Sequence, residues 1–203
     1  SPKCLVNLFG KSILEWQLQV FRSCNINDIS IVTGYLKDMI KFDDVTYFEN
    51  PKFSTTNMVE TLFCAKDKLE DSVIVSYGDI IFQKDVLQKL INSKDDISVV
   101  IDKKWKKYWE IRTTQPLNDV ESLVLENGFI QNIGQKVSSL DEIEGQYIGL
   151  MKFQNEGLEF LKTFYHSAKN ESFMGNIMNP DIPFEKSLRI FHLFVCSIAL
   201  VVK

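Results

Sequence analysis

Short apolar runs alternate with amphipathic segments along the first half of the chain, and this alternation restricts the fold more than any other sequence feature. Residues 29–32 and 73–77 are mainly apolar, as strands covered on both faces are. A first strand is predicted at 4–9, ended by Gly10, and another at 45–49. Helical segments separate the runs. This order predicts a mostly parallel sheet with helices on both faces.

Helix boundaries are indicated by capping residues. Ser12 and Glu15 have the spacing of a capping box, which satisfies N–H groups that a helix start leaves unpaired. Thr56 or Asn57 caps a later helix, and its predicted buried face contains Met58, Leu62, Phe63, Ala65 and Leu69. Shorter helices are predicted at 36–41 and 86–91.

After residue 97 the pattern becomes richer in strands. Residues 97–102, 105–113 and 146–153 are typical of strands, and a helix follows to about residue 168. Asn127-Gly128 lies between two apolar runs and predicts a hairpin with a type I′ turn. We therefore expect one α/β domain with a mixed sheet.

Charge and composition exclude several classes of protein. The net charge of −4, without a long basic block, argues against a nucleic-acid binder. Cysteines at 4, 24, 64 and 196 are too scattered for a paired-cysteine zinc site and fit a reducing compartment, so we expect a cytoplasmic protein. With only His166 and His192 available, chemistry must depend mainly on carboxylates, lysines and backbone groups.

The apolar stretch 188–202 poses the question of a membrane anchor. It contains Arg189 and His192 and is shorter than the ~20 residues that span a bilayer. A buried strand or helix is the favoured interpretation, and no membrane span is expected.

Two segments could bind a ligand. Gly78 and Asp79 follow a buried strand, at the sheet edge where α/β proteins bind ligands, and an aspartate there suits Mg²⁺ with phosphate oxygens. A simple turn cap is the alternative for Asp79. The polar stretch from Asn50 to Asn57 leads to a helix start, which favours anions. An N-capped polar loop is the alternative there. The segment 9–13 lacks the first glycine of a P-loop, since that position is Leu5.

Six segments taken in order carry a family resemblance: SPKCLVNLFGKSILEWQL, NDISIVTGY, ENPKFSTTNMVETL, VSYGDIIF, DVESLVLENGFIQNIGQK and EGQYIGLMKF. The chain resembles the sugar-nucleotide pyrophosphorylase-like nucleotidyltransferases, and most of all the bacterial choline-phosphate and phosphonate or polyol-phosphate cytidylyltransferases. The resemblance implies a three-layer α/β/α Rossmann-like fold (GT-A-like) with a mixed, mainly parallel sheet.

The resemblance also implies a domain division. The family's first strand and glycine-rich turn would precede Ser1, and only the Pro-Lys ending of that turn is present, as Pro2-Lys3. We therefore expect an N-terminally incomplete transferase domain at 1–170 and a divergent segment at 171–203.

Site residues follow from the resemblance as implications. Lys3 would contact the nucleotide phosphates, Asp79 would bind Mg²⁺, and Lys136 would contact the acceptor phosphate. The remaining implied positions border the nucleotide pocket (Asn50, Thr56, Asn57 and Gly78) or the acceptor pocket (Asp119, Glu121 and Glu144).

The implied reaction is transfer of a nucleoside monophosphate, with CTP as the expected donor, to a phosphorylated acceptor such as phosphocholine. Pyrophosphate leaves, and no nucleic acid takes part. For a cationic head group, Trp105, Tyr108 and Trp109 could form pocket walls, although packing explains them equally. A catalytically inactive binding module and a nucleotide-sugar glycosyltransferase are the alternatives. Acceptor identity and homo-oligomerisation stay open.

Overall fold

The computed structural model describes residues 1–118, 120–135, 137–170 and 199–202. These residues form two compact units. The first contains residues 1–99, 149–170 and 199–202, and the second contains the described part of 100–148.

Ten strands and five α-helices are present in the described residues. The strands are β1 (Asn7–Leu8), β2 (Lys11–Ser12), β3 (Ile29–Thr33), β4 (Thr46–Glu49), β5 (Ser72–Tyr77), β6 (Ile97–Asp102), β7 (Leu123–Glu126), β8 (Phe129–Ile133), β9 (Gln146–Gln154) and β10 (Ala199–Val202). The helices are α1 (Ile13–Ser23), α2 (Met58–Phe63), α3 (Lys84–Asn92), α4 (Trp105–Arg112) and α5 (Asn155–Asn170).

Six of the strands form one sheet, in the order β4-β3-β10-β5-β9-β6. β3 and β4 pair in parallel, whereas β10 is antiparallel to both β3 and β5, and β9 is antiparallel to β5. β3, β4 and β5 therefore run in one direction, and β9 and β10 run in the other. The expected mixed α/β sheet is confirmed, but the expected mainly parallel pairing is not. Of the four strand pairs described in this sheet only β3–β4 is parallel, because the C-terminal strand β10 lies between β3 and β5 and runs against both.

The core strands are continuously apolar because both faces are covered. Every residue of β3 is buried, and so are Val73–Ser76 of β5. Helix α2 packs against β3 and β10, and α5 packs against β5. Burial on both faces explains why these strands read as uninterrupted apolar runs.

The first helix begins where its capping box predicts. The Glu15 amide donates to the Ser12 hydroxyl at 3.2 Å, and the Ser12 amide donates to the Glu15 carboxylate at 2.6 Å. Leu14, Leu18 and Phe21 bury one face of α1. Capping and amphipathicity therefore fix this helix together.

Several other predicted elements are confirmed. Asn57 caps α2, and all five residues of the predicted face of that segment are buried. The Asn127-Gly128 turn has positive φ values of 52° and 85° and joins β7 to β8, as a type I′ hairpin requires. The strands predicted at 29–32, 45–49, 73–77, 97–102 and 146–153 are present as β3, β4, β5, β6 and β9, and the helix after β9 is α5.

Three predicted elements were wrong. The strand at 4–9 is a 3-10 turn over Lys3–Leu5 followed by the two-residue strand β1, because the amides of Leu5 and Val6 bond locally to the carbonyls of Pro2 and Lys3. The helix at 36–41 is only a 3-10 turn over Lys37–Met39. The third, at 105–113, is the helix α4, because Trp105 and Trp109, four residues apart, share an apolar face.

The apolar C-terminal stretch supplies a strand to the sheet. β10 lies between β3 and β5, with Val201 and Val202 each 1% exposed. Residues 188–198 lie outside the described residues, so the interpretation of the stretch as buried is confirmed only for its end. Within the described ranges, none of the helices combines the length and apolarity required to span a bilayer.

Candidate functional site

Asp79 lies at the carboxyl end of β5, as predicted. The strand ends at Tyr77, Gly78 is buried in the turn that follows, and Asp79 is partly exposed. β3 and β4 end at the same edge of the sheet, since both run in the direction of β5. The edge thus has the position at which open α/β sheets bind their ligands.

Cys4, near the start of the chain, lies within electrostatic range of this carboxylate. Burial raises the pKa of the Cys4 thiol to about 11, and the negative charge of Asp79 contributes to the increase. Pro2 and Cys4 are buried, whereas Lys3 between them is exposed. Lys3 therefore adjoins a residue that senses the Asp79 charge, and its own side chain is exposed.

The loop after β4 is packed onto the end of β3. The backbone amide of Asn50 donates to the Thr33 carbonyl at 2.8 Å. A Cβ atom added to Gly34 would lie 2.5 Å from the Cβ of Phe53, so only glycine permits this close approach. Neither Gly34 nor Phe53 was among the predicted residues, although a glycine directly after a buried strand was a usable signal.

The buried side chain of Asn50 stabilises this loop through hydrogen bonds. Its side chain is 2% exposed and donates to the hydroxyls of Thr56 and Thr61, both at 2.9 Å. Its Oδ1 accepts from the Lys52 amide at 2.9 Å. Asn50 therefore shapes the loop through its own side chain.

Thr56 and Asn57 are also engaged within the loop. The Thr56 hydroxyl donates to the Lys52 carbonyl at 2.8 Å, and the Asn57 side chain accepts from the Glu60 amide at 3.2 Å as the cap of α2. The capping role weighed for Asn57 is thus present. The exposed residues of this loop are Pro51, Lys52, Ser54 and Thr55.

The second unit contains the residues assigned to the acceptor. The Glu144 carboxylate accepts from the Leu125 amide, which joins the start of β9 to β7. Glu121 is partly buried, and its carbonyl accepts from the Gln146 side chain at 2.8 Å. Asp119 and Lys136, the two other residues assigned to the acceptor, lie outside the described residues.

The aromatic residues considered as pocket walls have different environments. Trp105 is buried in a cluster with Val120 and Ile143, and Trp109 packs against that cluster. Tyr108 is 58% exposed. Two of the three therefore contribute to the core of this unit, and Tyr108 is mostly exposed.

The side chains of the described residues bear on which metal Asp79 could hold. Across the part of the chain that the structure describes, no group of three or more His, Cys, Asp or Glu side chains could hold an ion. These described residues therefore include no side-chain cluster of the kind that zinc and calcium cages use. Mg²⁺ needs only one or two carboxylates when substrate phosphates supply further oxygens, so a single aspartate is compatible with it.

An α/β sheet with a carboxylate and a tightly packed polar loop at the carboxyl ends of its strands places this chain in the class of α/β proteins that bind ligands at that edge. The chain belongs to a family within that class, because residues 1–137 match the model of the MobA-like NTP transferase domain.

Curated relatives agree with this assignment. A CTP:phosphoglutamine cytidylyltransferase from Campylobacter jejuni is 40% identical over 186 residues, covering 86% of this chain and 74% of the relative. A choline-phosphate cytidylyltransferase from Streptococcus pneumoniae is 29% identical over 87 residues, covering 41% of this chain and 38% of the relative.

A solved structure shows the same fold. The inositol-1-phosphate CTP transferase from T. maritima superimposes with a TM-score of 0.64, at 16% identity, covering 94% of this chain and 72% of that chain. The Rossmann-like α/β fold expected from the sequence is confirmed.

Proposed function

We propose that this protein is a cytidylyltransferase that transfers CMP from CTP to a small phosphorylated acceptor and releases pyrophosphate. The observation that carries the proposal is the 40% identity to the Campylobacter jejuni cytidylyltransferase over most of both chains. The position of Asp79 at the carboxyl end of β5 is consistent with it.

The reaction is a displacement at phosphorus. A phosphate oxygen of the acceptor attacks the α-phosphorus of CTP, and the bond from that phosphorus to the bridging oxygen of the β-phosphate breaks. The acceptor oxygen is already anionic near neutral pH, so the step needs no general base. Two polyanions must be held together, and positioning with charge neutralisation supplies the catalysis.

Residues of this chain divide that work in the proposal. Lys3 is exposed and contacts the triphosphate. Lys136 contacts the acceptor phosphate. Asp79 would hold Mg²⁺, which when bound neutralises charge on the phosphates. The loop shaped by Asn50 borders the nucleotide, and Glu121 and Glu144, with Asp119, border the acceptor.

The test measures pyrophosphate release with CTP, Mg²⁺ and either phosphocholine or phosphoglutamine. We expect release that depends on the acceptor and is faster with CTP than with the other triphosphates. Asp79→Asn should lower kcat/KM by about 10²–10³, as removal of an electrostatic stabiliser does. Asp85→Asn, at an exposed position in α3, is the matched control and should keep full activity.

Two results would contradict the proposal. One is the absence of pyrophosphate release with every triphosphate and acceptor. The other is equal activity of Asp79→Asn and Asp85→Asn. Release of a sugar from a nucleotide sugar, without pyrophosphate formation, would instead support the glycosyltransferase alternative.

A further inference from the structure

Gln17 is a buried polar residue in the middle of α1. It is 1% exposed and is buried together with the apolar side chains Leu14, Leu18 and Phe21 of the same helix. A buried carboxamide is costly unless its donors and its acceptor are all paired. Its partners therefore indicate why glutamine occupies this position.

Those partners surround the turn that contains Asp79. Gln17 Nε2 donates to the carbonyls of Tyr77, at 2.9 Å, and Ile80, at 2.8 Å. Gln17 Oε1 accepts from the hydroxyl of Ser76 at 3.0 Å. The carboxamide thus bonds to residues on both sides of Gly78 and Asp79. Because its nitrogen meets two carbonyl oxygens, the orientation of the amide group is fixed.

The same helix holds the chain just beyond the turn. Phe21, one helical turn after Gln17, packs edge-to-face on Phe82 with ring centroids 5.5 Å apart. Gln17 and Phe21 therefore fasten residues 77–82 to α1 at successive points. Because its capping box stabilises the start of α1, this helix is a rigid support for the turn that follows β5.

From this geometry we propose that Gln17 is a positioning residue. It fixes the position of the Asp79 carboxylate through its hydrogen bonds to residues on both sides of that carboxylate in the turn 77–80. The inference rests on the proposed function, in which Asp79 binds a divalent cation together with the nucleotide. Gln17 itself does not touch the substrate. Groups that orient a metal ligand commonly change metal affinity by roughly 10–100-fold when they are replaced.

Gln17→Met removes the hydrogen bonds and nearly preserves the volume of the side chain. Gln17→Glu keeps the shape and the acceptor but loses both donors, and it serves as the second variant if the first does not fold. Gln19→Met makes the same chemical change at an exposed position of the same helix. Leu18→Ala, at a side chain that is 2% exposed, controls for destabilisation of the helix.

Two measurements need no turnover. Hydrogen exchange followed by mass spectrometry reports the opening of residues 77–82. Water proton relaxation enhancement reports binding of Mn²⁺–CTP to the protein. We expect at least tenfold faster exchange in 77–82 and a roughly 10–100-fold weaker Mn²⁺–CTP affinity for both Gln17 variants. Gln19→Met and Leu18→Ala should keep the wild-type affinity.

An Asp79→Asn background makes the test specific. There the Gln17 substitutions should have no further effect on Mn²⁺–CTP affinity, because they act through Asp79. The inference is overturned if the Gln17 variants leave either hydrogen exchange in 77–82 or Mn²⁺–CTP affinity unchanged. It is also overturned if they weaken that affinity as much in the Asp79→Asn background as in the wild type, or if Asp79→Asn alone leaves it unchanged. Retained Mn²⁺–CTP binding without pyrophosphate release would refute the proposed function alone.

Discussion

The central strand β10 supports a quantitative prediction about stability. Val201 is 1% exposed and pairs with Ser30 on one side and Val75 on the other. Val201→Ala removes two buried carbon groups, worth about 0.8 kcal/mol each. The cavity left between two packed strands adds to this, giving a loss of about 2–3 kcal/mol.

The assay is urea unfolding followed by circular dichroism, with thermal unfolding as a second measurement. A loss of this size lowers the melting temperature by roughly 5–10 °C for a chain of this length. Val124→Ala is the matched control, because Val124 also lies in a strand but is 38% exposed. We expect about 0.5 kcal/mol or less for the control.

Equal losses for Val201→Ala and Val124→Ala would refute the reasoning, since they would mean that β10 does not occupy the interior of the sheet. Hydrogen exchange offers an independent reading. The amides of β3 and β5 that face β10 should exchange faster in Val201→Ala and at the wild-type rate in Val124→Ala.

Two further predictions concern the site. Asn50→Ala should lower the free energy of unfolding by about 1–3 kcal/mol, because it leaves buried hydrogen-bonding groups unpaired. It should also raise the KM for CTP more than it lowers kcat. An unchanged free energy of unfolding together with an unchanged KM would contradict the role of Asn50 in shaping the loop. Iodoacetamide at pH 8 should label Cys24 and Cys64 but not Cys4 in the folded protein, since the pKa of Cys4 is about 11. Because that pKa lies above the unfolded value of 9.0, the contribution of the Cys4 thiol to stability is present below pH 9 and is lost as the pH rises towards 11. Urea unfolding at pH 8 and 10.5 should show a smaller decrease for Cys4→Ala than for the wild type, and labelling of Cys4 as fast as Cys24 would contradict its burial.

Elements with strong local signals could be predicted from the sequence. The Ser12 and Glu15 pair fixed the start of α1, and Asn127-Gly128 fixed a hairpin, because each signal acts within four residues. α4 could not be placed by strand propensity, since its aromatic residues favour strands in isolation and become helical through the packing of Trp105 and Trp109.

Long-range relations could not be predicted in the same way. The position of Asp79 at the edge of the sheet followed from the strand before it. By contrast, the bonds from Gln17 to Tyr77 and Ile80 join residues about 60 positions apart, and no local pattern announces them. The hydrogen bond from Asn50 to Thr61 is likewise not predicted by any local pattern. It shows that a polar residue near the carboxyl edge of the sheet can serve to stabilise its own loop.

The pairing of β10 with β3 has a consequence during synthesis of the chain. The paired residues are about 170 positions apart, and at ~5–20 residues per second a ribosome needs roughly 10–30 s to make the intervening segment. Until β10 is made, β3 and, once it has been synthesised, β5 lack this strand as a partner, and unpaired strand edges readily pair with other chains. Newly made copies are therefore vulnerable to self-association on crowded polysomes, and molecular chaperones that shield strand edges should increase the yield of native protein.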